Sequence, residues 1–392
     1  MPVCMNSSFQ NKPSMNQYPH NFQTSLMTET LSIIHTESSK GWGGQEIRTL
    51  KEACCLSEHG HQITFIVKKD AQLAKRARDA GFCCHELPMK NALDFSSMWQ
   101  IKKLIDQIGP DIVNTHSGHD SILAGLAIKL SKTKPAHLRT RHLILPITSK
   151  MTYTTLPDHV MTVGMATKQM LMKQGIAESH LTSIVTGFDE QLFDPAKYSK
   201  NALRQQLDID EDTPLIGCVA ILRQKKGHDY LIDAVPAVLK NYPNAQFMIV
   251  GDGPQKERLT QKIIDNNLQA SVHMLGFMPA QEVLPSLDIM VLPTLEEAFG
   301  GALIEAQAME VPVISTTVGG VPEAVENNVT GILVPPENSQ ALADAMIQLL
   351  DNPEKRKTMG KAGRKRALEH FTIEKMGDKL VTLYLKLLES KK

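Results

Sequence analysis

Short β-branched runs alternate with helix-length segments along this chain, and they do so in two series. The first comprises "LSIIHT" (31–36), "QITFIV" (62–67), "DIVNTH" (111–116), "HVMTVG" (159–164) and "LTSIVTG" (181–187). A polar, proline-containing passage over 194–214 follows, and the pattern then restarts with "PLIGCVAIL", "AQFMIVGDG", "SVHMLGF", "DIMVLPTL", "VPVISTTV" and "TGILVPP". Runs apolar on both faces and separated by helices specify parallel α/β sheets rather than sandwiches or bundles. With 392 residues the chain exceeds what one core organises. The pattern therefore predicts two doubly wound parallel-sheet domains, over 30–195 and 196–372, with a last helical stretch over 373–392 and the linker near Pro195. Ligands of such sheets sit outside the carboxyl ends of the strands. Two facing domains would place the loops after "IIHTE", "IVNTH", "VAIL", "MIVGDG", "MVLPTL" and "VISTTV" on opposite walls of one cleft.

Composition narrows the partners. The 42 basic residues equal the 42 acidic ones, so no global field favours nucleic acid or an anionic membrane. Six cysteines, Cys4, Cys54, Cys55, Cys83, Cys84 and Cys218, lack metal-ligand spacing and read as buried reduced thiols, as in the cytoplasm. No apolar run approaches the ~20 residues that span a bilayer. The opening 29 residues are rich in Asn, Gln and Ser and lack a basic start followed by an apolar core; a disordered tail is expected there, or an artefact of start-codon choice, since Met27 stands just before the first strand-like run.

Four loops could carry chemistry. Gly41, Gly43 and Gly44 precede a helix beginning near Gln45, where backbone N–H groups could approach an anion or simply form a flexible turn. The spacing is not G-x-G-x-x-G, and no Walker sequence occurs. Arg223, Lys225 and Lys226, before Gly227, could clamp a diphosphate or form a solvated basic turn. His116 ends an apolar strand, as a catalytic or a structural histidine. Arg139, Arg141 and His142 follow the next strand, suiting an anionic partner or solvent equally.

The segment "EEAFGGALIEAQAMEVPVISTTVGGVPEAV" (296–325) holds Glu297, Glu305 and Glu323 around Gly300-Gly301 and Gly319-Gly320. On one helix Glu297 and Glu305 would stand roughly 12 Å apart along the axis. That exceeds the ~5–9.5 Å of a glycosidase carboxylate pair. No Asp-x-Asp or histidine cluster accompanies them to bind a metal. Two carboxylates accepting from hydroxyl groups of one long ligand, with N–H groups around Phe299, Gly300 and Gly301 beneath it, fit better than helix capping or catalysis.

These segments in order resemble the retaining glycosyltransferases of family 4, the group 1 glycosyltransferases. The resemblance spans roughly residues 31–390. "EAFGGALIE" is similar to the family's E-x₇-E signature, and "GWGGQE", "TGFDEQLFDP", "KGHDYLIDA", "VGDGPQKERL", "LGF", "VGGVPEAV" and "GILVPP" look like its other segments. It implies the GT-B fold: α/β, two facing Rossmann-like doubly wound domains with an interdomain cleft, the closing helix crossing back to the first domain.

The resemblance further implies a nucleotide-sugar donor, UDP- or GDP-linked, whose ribose is held by Glu305. Its sugar would lie by Glu297, Phe299, Gly300 and Gly301, with Gly251 nearby. The diphosphate would be neutralised by Lys226 and Arg223, helped by the Gly43-Gly44 loop, and His116 would stand at the reacting sugar. Many members carry an arginine five residues before the lysine, where this chain has Ile221. "RTRHLILPI" looks like a segment of some envelope-polysaccharide members, making Arg139 and His142 acceptor-side candidates. No metal and no cofactor are expected: the leaving phosphate itself helps deprotonate the acceptor hydroxyl of a glycan or lipid. An epimerase or phosphorylase on the same fold, or a non-catalytic sugar-nucleotide-binding protein, are the rival readings. Peripheral membrane contact is conceivable through "KKDAQLAKRARDAGF" (68–82), whose five basic residues partly follow helical spacing, against a solvated helix.

Overall fold

The structure, a computed structural model, describes residues 29–392. The expectation of a disordered tail, and Cys4 with it, lies outside the described residues apart from Glu29. Two parallel sheets carry the chain. The first contains β1 (Ser32–Glu37), β2 (Gln62–Lys68), β3 (Cys83–Leu87), β4 (Ile112–Thr115), β5 (Ala136–Arg141), β6 (His159–Thr162) and β7 (Leu181–Ser183), ordered β3-β2-β1-β4-β5-β6-β7. The second contains β8 (Leu215–Val219), β9 (Gln246–Val250), β10 (Val272–Gly276), β11 (Ile289–Leu292), β12 (Val313–Thr316) and β13 (Gly331–Val334), ordered β10-β9-β8-β11-β12-β13. Both orders reverse direction after the first strand, between β1 and β4 and between β8 and β11, and a ligand crevice opens at such switch points.

The sequence runs become strands because helices cover both faces of each sheet. Ile33, Ile34, Ile112 and Val113 are fully buried in the register Ile33 to Ile112 and Ile34 to Val113. In the second sheet Ile216 pairs with Phe247 and Ile289, all of them buried. Arg204 anchors the start of β8: it donates to the carbonyls of Ser286, Asp210 and Thr213 and pairs at 2.9 Å with Asp288, which also accepts the Leu215 N–H. All five cysteines among the described residues are free thiols, and burial pushes Cys218 up to about 12.

By compactness the chain divides into one unit reaching to Arg141 with Thr148–Met161 and Gly377–Lys392, and another of His142–Ile147 and Thr162–Met376. Residues 162–195, expected before the domain boundary, thus group with the second unit. The cause is backbone pairing: Ile184 N–H bonds Thr162 O, Phe188 N–H bonds Phe371 O, and Ile373 N–H bonds Phe188 O. Gly187 permits this approach, since a Cβ there would lie 2.6 Å from Ile373 Cα.

The first unit takes its last element from the far end of the chain. The helix Ile373–Glu389 packs flush on the helix Gly44–Glu58, where a Cβ on Gly377 would stand 2.5 Å from Cys55 Sγ. Tyr384 donates its hydroxyl to Glu52 Oε1 at 3.1 Å, Asn114 donates to the same oxygen at 3.0 Å, and Arg48 faces Oε2 at 3.8 Å. Burial pushes the Glu52 carboxyl up while Arg48 and the two hydrogen bonds pull it down.

Candidate functional site

In the second unit the switch point lies between the loops after β8 and β11, and the sequence clips these two loops together. Leaving β8, the chain makes a 3₁₀ turn over Gln224–Lys226 and passes through Gly227 at φ +69° into the helix His228–Asn241. A Cβ on Gly227 would meet Pro293 O at 1.8 Å, so only glycine allows both the left-handed turn and the approach. Across the gap, Leu295 N–H and Thr294 Oγ1 both donate to Lys225 O, at 2.7 and 2.9 Å. Lys226 Nζ is thereby set against Glu297 Oε2 as an ion pair, and Lys225 pairs with Glu296 at 3.3 Å. Gly227→Ala is expected to lower the melting temperature, because a Cβ fits neither the left-handed turn nor the approach to Pro293 O; calorimetry checks it, and an unaltered melting temperature overturns it.

Glu297 itself sits in the loop ahead of the helix Gly301–Ala308, which carries Glu305, so the one-helix spacing does not govern the two acids. Its backbone is gripped from below. A Cβ on Gly319 would lie 2.0 Å from Glu297 O, one on Gly320 would lie 2.1 Å from Ala298 O, and Gly320 N–H donates to Glu297 O at 2.9 Å. Glu323 holds the neighbouring loop, accepting Met165 N–H at 2.7 Å. Gly300, at φ +102°, and Gly301 form the N-terminus of the helix, whereas the Phe299 side chain is buried against Phe371 at 5.4 Å between ring centroids. The Phe299 side chain thus belongs to the core and not to a ligand-facing surface. Gly251 lets β9 approach Ala220, but its N–H is taken up by Gly276 O at 2.8 Å. Arg223 is exposed at the start of the 3₁₀ turn.

In the first unit the switch point holds a buried polar cluster. His116 follows β4; its backbone N–H donates to Asp120 Oδ2 at 2.9 Å, and its Nε2 lies 2.9 Å from His35 Nδ1. Glu37, at the end of β1, accepts from Ser117 Oγ at 2.5 Å, Gln45 Nε2 at 2.5 Å and Ser39 N–H at 2.8 Å. Asp120 takes hydrogen bonds from Thr36, Ser38 and Ser117. Burial and the nearby Asp120 carboxylate push Glu37 up to about 8, and burial also raises Asp120. Sequence reasoning passed over His35, Glu37 and Asp120. The available signal was the Ser117-x-x-Asp120 capping box, which places a carboxylate under the His116 loop.

The glycine loop is built differently from an open anion cradle. Gly43 N–H donates to Glu46 Oε2 at 2.9 Å, and Gly41 N–H to Ser39 Oγ at 3.1 Å; Gly44 begins the helix. Arg139 is buried, giving its guanidinium to Thr152 O at 2.9 Å and Tyr153 Oη at 3.0 Å while lying 3.9 Å over the Tyr153 ring. It braces the first unit's interior. His142 is likewise buried. The helix Gln72–Asp79, weighed for lipid contact, buries Leu73, Ala74 and Ala77 within its own unit; Arg76 lies over Trp42 and Arg78 pairs with Glu86. No described helix is long and apolar enough to cross a membrane.

The buried histidines set a pH dependence. Burial holds His35 near 3 and His137 and His228 near 4, whereas unfolded histidine protonates around 6.5. The unfolded chain therefore binds more protons as pH falls from about 6.5 towards 4, and stability drops over that window. Glu37 opposes this: kept protonated to about 8, it lowers stability as pH rises from about 4.5. Burial raises Glu52 and Asp120 in the same sense as Glu37, but it also lowers His61, His85 and His273, so six histidines stand against three carboxyls; the urea midpoint is expected to be lower at pH 5 than at pH 7, and equal midpoints would contradict the assignment.

Residues 199–366 match the family model described as Glycosyl transferases group 1, and residues 42–192 match that described as Glycosyltransferase Family 4. A GDP-mannose-dependent monoacylated alpha-(1-6)-phosphatidylinositol monomannoside mannosyltransferase of Corynebacterium glutamicum is 36% identical over 215 residues, 52% of this chain and 55% of that protein. The alpha-D-kanosaminyltransferase of Streptomyces kanamyceticus is 32% identical over 186 residues, 46% of this chain and 48% of that one. The chain spans about half the length of these curated relatives. A glycosyltransferase of Rickettsia africae superposes with TM-score 0.85 at 25% identity, over 92% of this chain and 99% of that one. Anabaena HepE in complex with UDP superposes with TM-score 0.81 at 20% identity, over 91% and 100%. Matched in both halves, and built on two Rossmann-like parallel sheets of seven and six strands, the chain belongs to the group 1 glycosyltransferases of family 4 and has the GT-B fold.

Proposed function

We infer that the protein transfers a hexose-type sugar from a UDP- or GDP-sugar to a hydroxyl group of a glycan or glycolipid acceptor in cell-envelope polysaccharide or lipopolysaccharide synthesis. It works in the cytoplasm or at the inner face of the cytoplasmic membrane. The observation that carries this reading is the Lys226–Glu297 ion pair at the β8/β11 switch point. A cation and a carboxylate fixed side by side match the two ends of a sugar diphosphate, one facing phosphate oxygens and the other sugar hydroxyls. The two neutralise each other across the loops; with a donor, Lys226 would face the diphosphate and Glu297 the sugar.

The chemistry then rests on charge. As the nucleoside diphosphate departs, negative charge grows on its phosphate oxygens. Lys226, the exposed Arg223 beside it, and the N-terminus of the helix Gly301–Ala308 stabilise that charge without a metal ion. Glu305, one turn into that helix, is assigned the ribose. The leaving phosphate accepts the acceptor's proton on the same face, so the anomeric configuration is retained and no protein nucleophile is used. The relatives' dependence on GDP-mannose and the UDP held by the structural neighbour support a nucleotide-sugar donor.

A panel of UDP-, GDP- and ADP-sugars scored by thermal shift identifies the donor, since a ligand of the folded state raises apparent stability. Turnover with that donor is then followed by NMR in the presence of EDTA. A product glycoside of the donor's own anomeric configuration is expected. Inverted product overturns the retaining mechanism, EDTA-sensitive turnover overturns metal independence, and isomerised sugar or sugar phosphate overturns transfer.

A further inference from the structure

The side chain of His116 is held by a second histidine that the proposed mechanism does not use. His35 lies in the middle of β1, fully buried, with its ring against Phe65 at 5.6 Å between centroids. Its ring and that of His116 are only 17° from coplanar with centroids 5.2 Å apart. Together with the 2.9 Å separation of His35 Nδ1 and His116 Nε2, this is an edge-to-edge N–H···N hydrogen bond rather than a face-to-face stack.

One nitrogen must donate and the other accept, and the remaining nitrogen of His35 favours one assignment. His35 Nε2 is buried with no hydrogen-bond partner. Were His116 the donor, neutral His35 would carry its own proton on Nε2, an orphaned N–H in an apolar setting. Were His35 the donor, Nε2 would be only an unfilled acceptor. Buried orphan N–H groups are the rarer and costlier of the two.

We propose that His35 is a positioning residue: it donates its Nδ1–H to His116 Nε2 and so holds His116 in the tautomer that carries its proton on Nδ1. His116 Nε2 is thereby closed to proton transfer, and the ring is an N–H donor rather than a base. Two further anchors fix the ring's origin, the His116 backbone N–H on Asp120 Oδ2 and the Thr36 hydroxyl on the same oxygen. Burial keeps His35 neutral down to about pH 3, so the direction of the bond does not change across the working range.

The tautomer is independent of the proposed glycosyl transfer, whereas its effect on turnover rests on that reading, and the experiment separates the two. Two-bond ¹⁵N–¹H NMR of imidazole-labelled protein is expected to show His116 protonated on Nδ1 and accepting at Nε2; a wild-type spectrum with His116 protonated on Nε2 overturns the proposal. In His35→Phe the ring stack on Phe65 stays and the donor is lost. His116 should then shift to the Nε2–H form, and kcat should fall by about tenfold or more while the donor KM stays within about twofold. His35→Asn, whose amide nitrogen sits near the place of Nδ1, should restore both the tautomer and kcat. A shifted tautomer with unchanged kcat overturns the positioning role. Should His35→Phe fail to fold, the wild-type spectrum and the asparagine variant still decide. Absence of turnover with every nucleotide-sugar would sink the proposed function and leave the spectrum to judge His35.

Discussion

Lys226→Met is expected to reduce kcat by about 10²–10³ while leaving the melting temperature within a few degrees of the parent, as befits loss of one charge-stabilising contact in a transition state. Methionine keeps the unbranched stem and removes only the ammonium. The turn that places it, with Gly227 against Pro293 O and Lys225 O accepting from Leu295 and Thr294, is backbone-built and survives the change. Glu297 loses its ion partner but lies in a loop with 16% of its side chain still exposed, so water can take over part of the lost pairing. Lys226→Arg is expected to recover part of the activity, because a planar fork cannot occupy the place of a compact ammonium. Steady-state kinetics at saturating donor, paired with calorimetry, provides the check. Near-parental kcat in the methionine variant would remove Lys226 from the diphosphate.

The largest loss of stability is expected from Glu52→Ala. Both Arg48 and Glu52 are at most 1% exposed, and removing one partner of a buried ion pair costs about 3–5 kcal/mol, since the other charge stays behind in a poor solvent. The substitution also strips the acceptor from Asn114 and Tyr384. Glu52→Gln keeps an oxygen for those two donors and should lose markedly less. Urea titration followed by far-ultraviolet dichroism measures both; equal midpoints for the alanine variant and the parent would show that the polar cluster contributes nothing to the fold.

The architecture was legible in the sequence because a strand buried on both faces must be apolar along its whole length. "SIIHTE", "LIGCV" and "IMVL" therefore announced themselves, and the two-sheet plan followed. The loops that gather at the β8/β11 switch point were legible too, since glycine, lysine and glutamate there are local features of the chain. What stayed hidden are pairings of residues distant in sequence. Glu52 meets Tyr384 across 332 positions, and His35 meets His116 across 81, and neither distance leaves a periodic trace. Arg139 shows the same limit from the other side. A cation after a strand reads as a ligand-facing group, yet Tyr153 and Thr152, contributed by a short downstream helix, engage it inside the unit. The division near Thr162 was missed because backbone bonds between Phe188 and residues 371–373 involve no side-chain chemistry at all.

The late docking of the helix Ile373–Glu389 imposes an order on biosynthesis. The second unit is almost continuous in sequence, and its last residue is Met376. The first unit, although its strands emerge earlier, cannot cover Glu52 until Tyr384 has left the ribosome. During elongation its Gly44–Glu58 helix therefore waits with a buried-type carboxylate and an apolar face open to solvent. The half that is translated first is thus the half that is completed last.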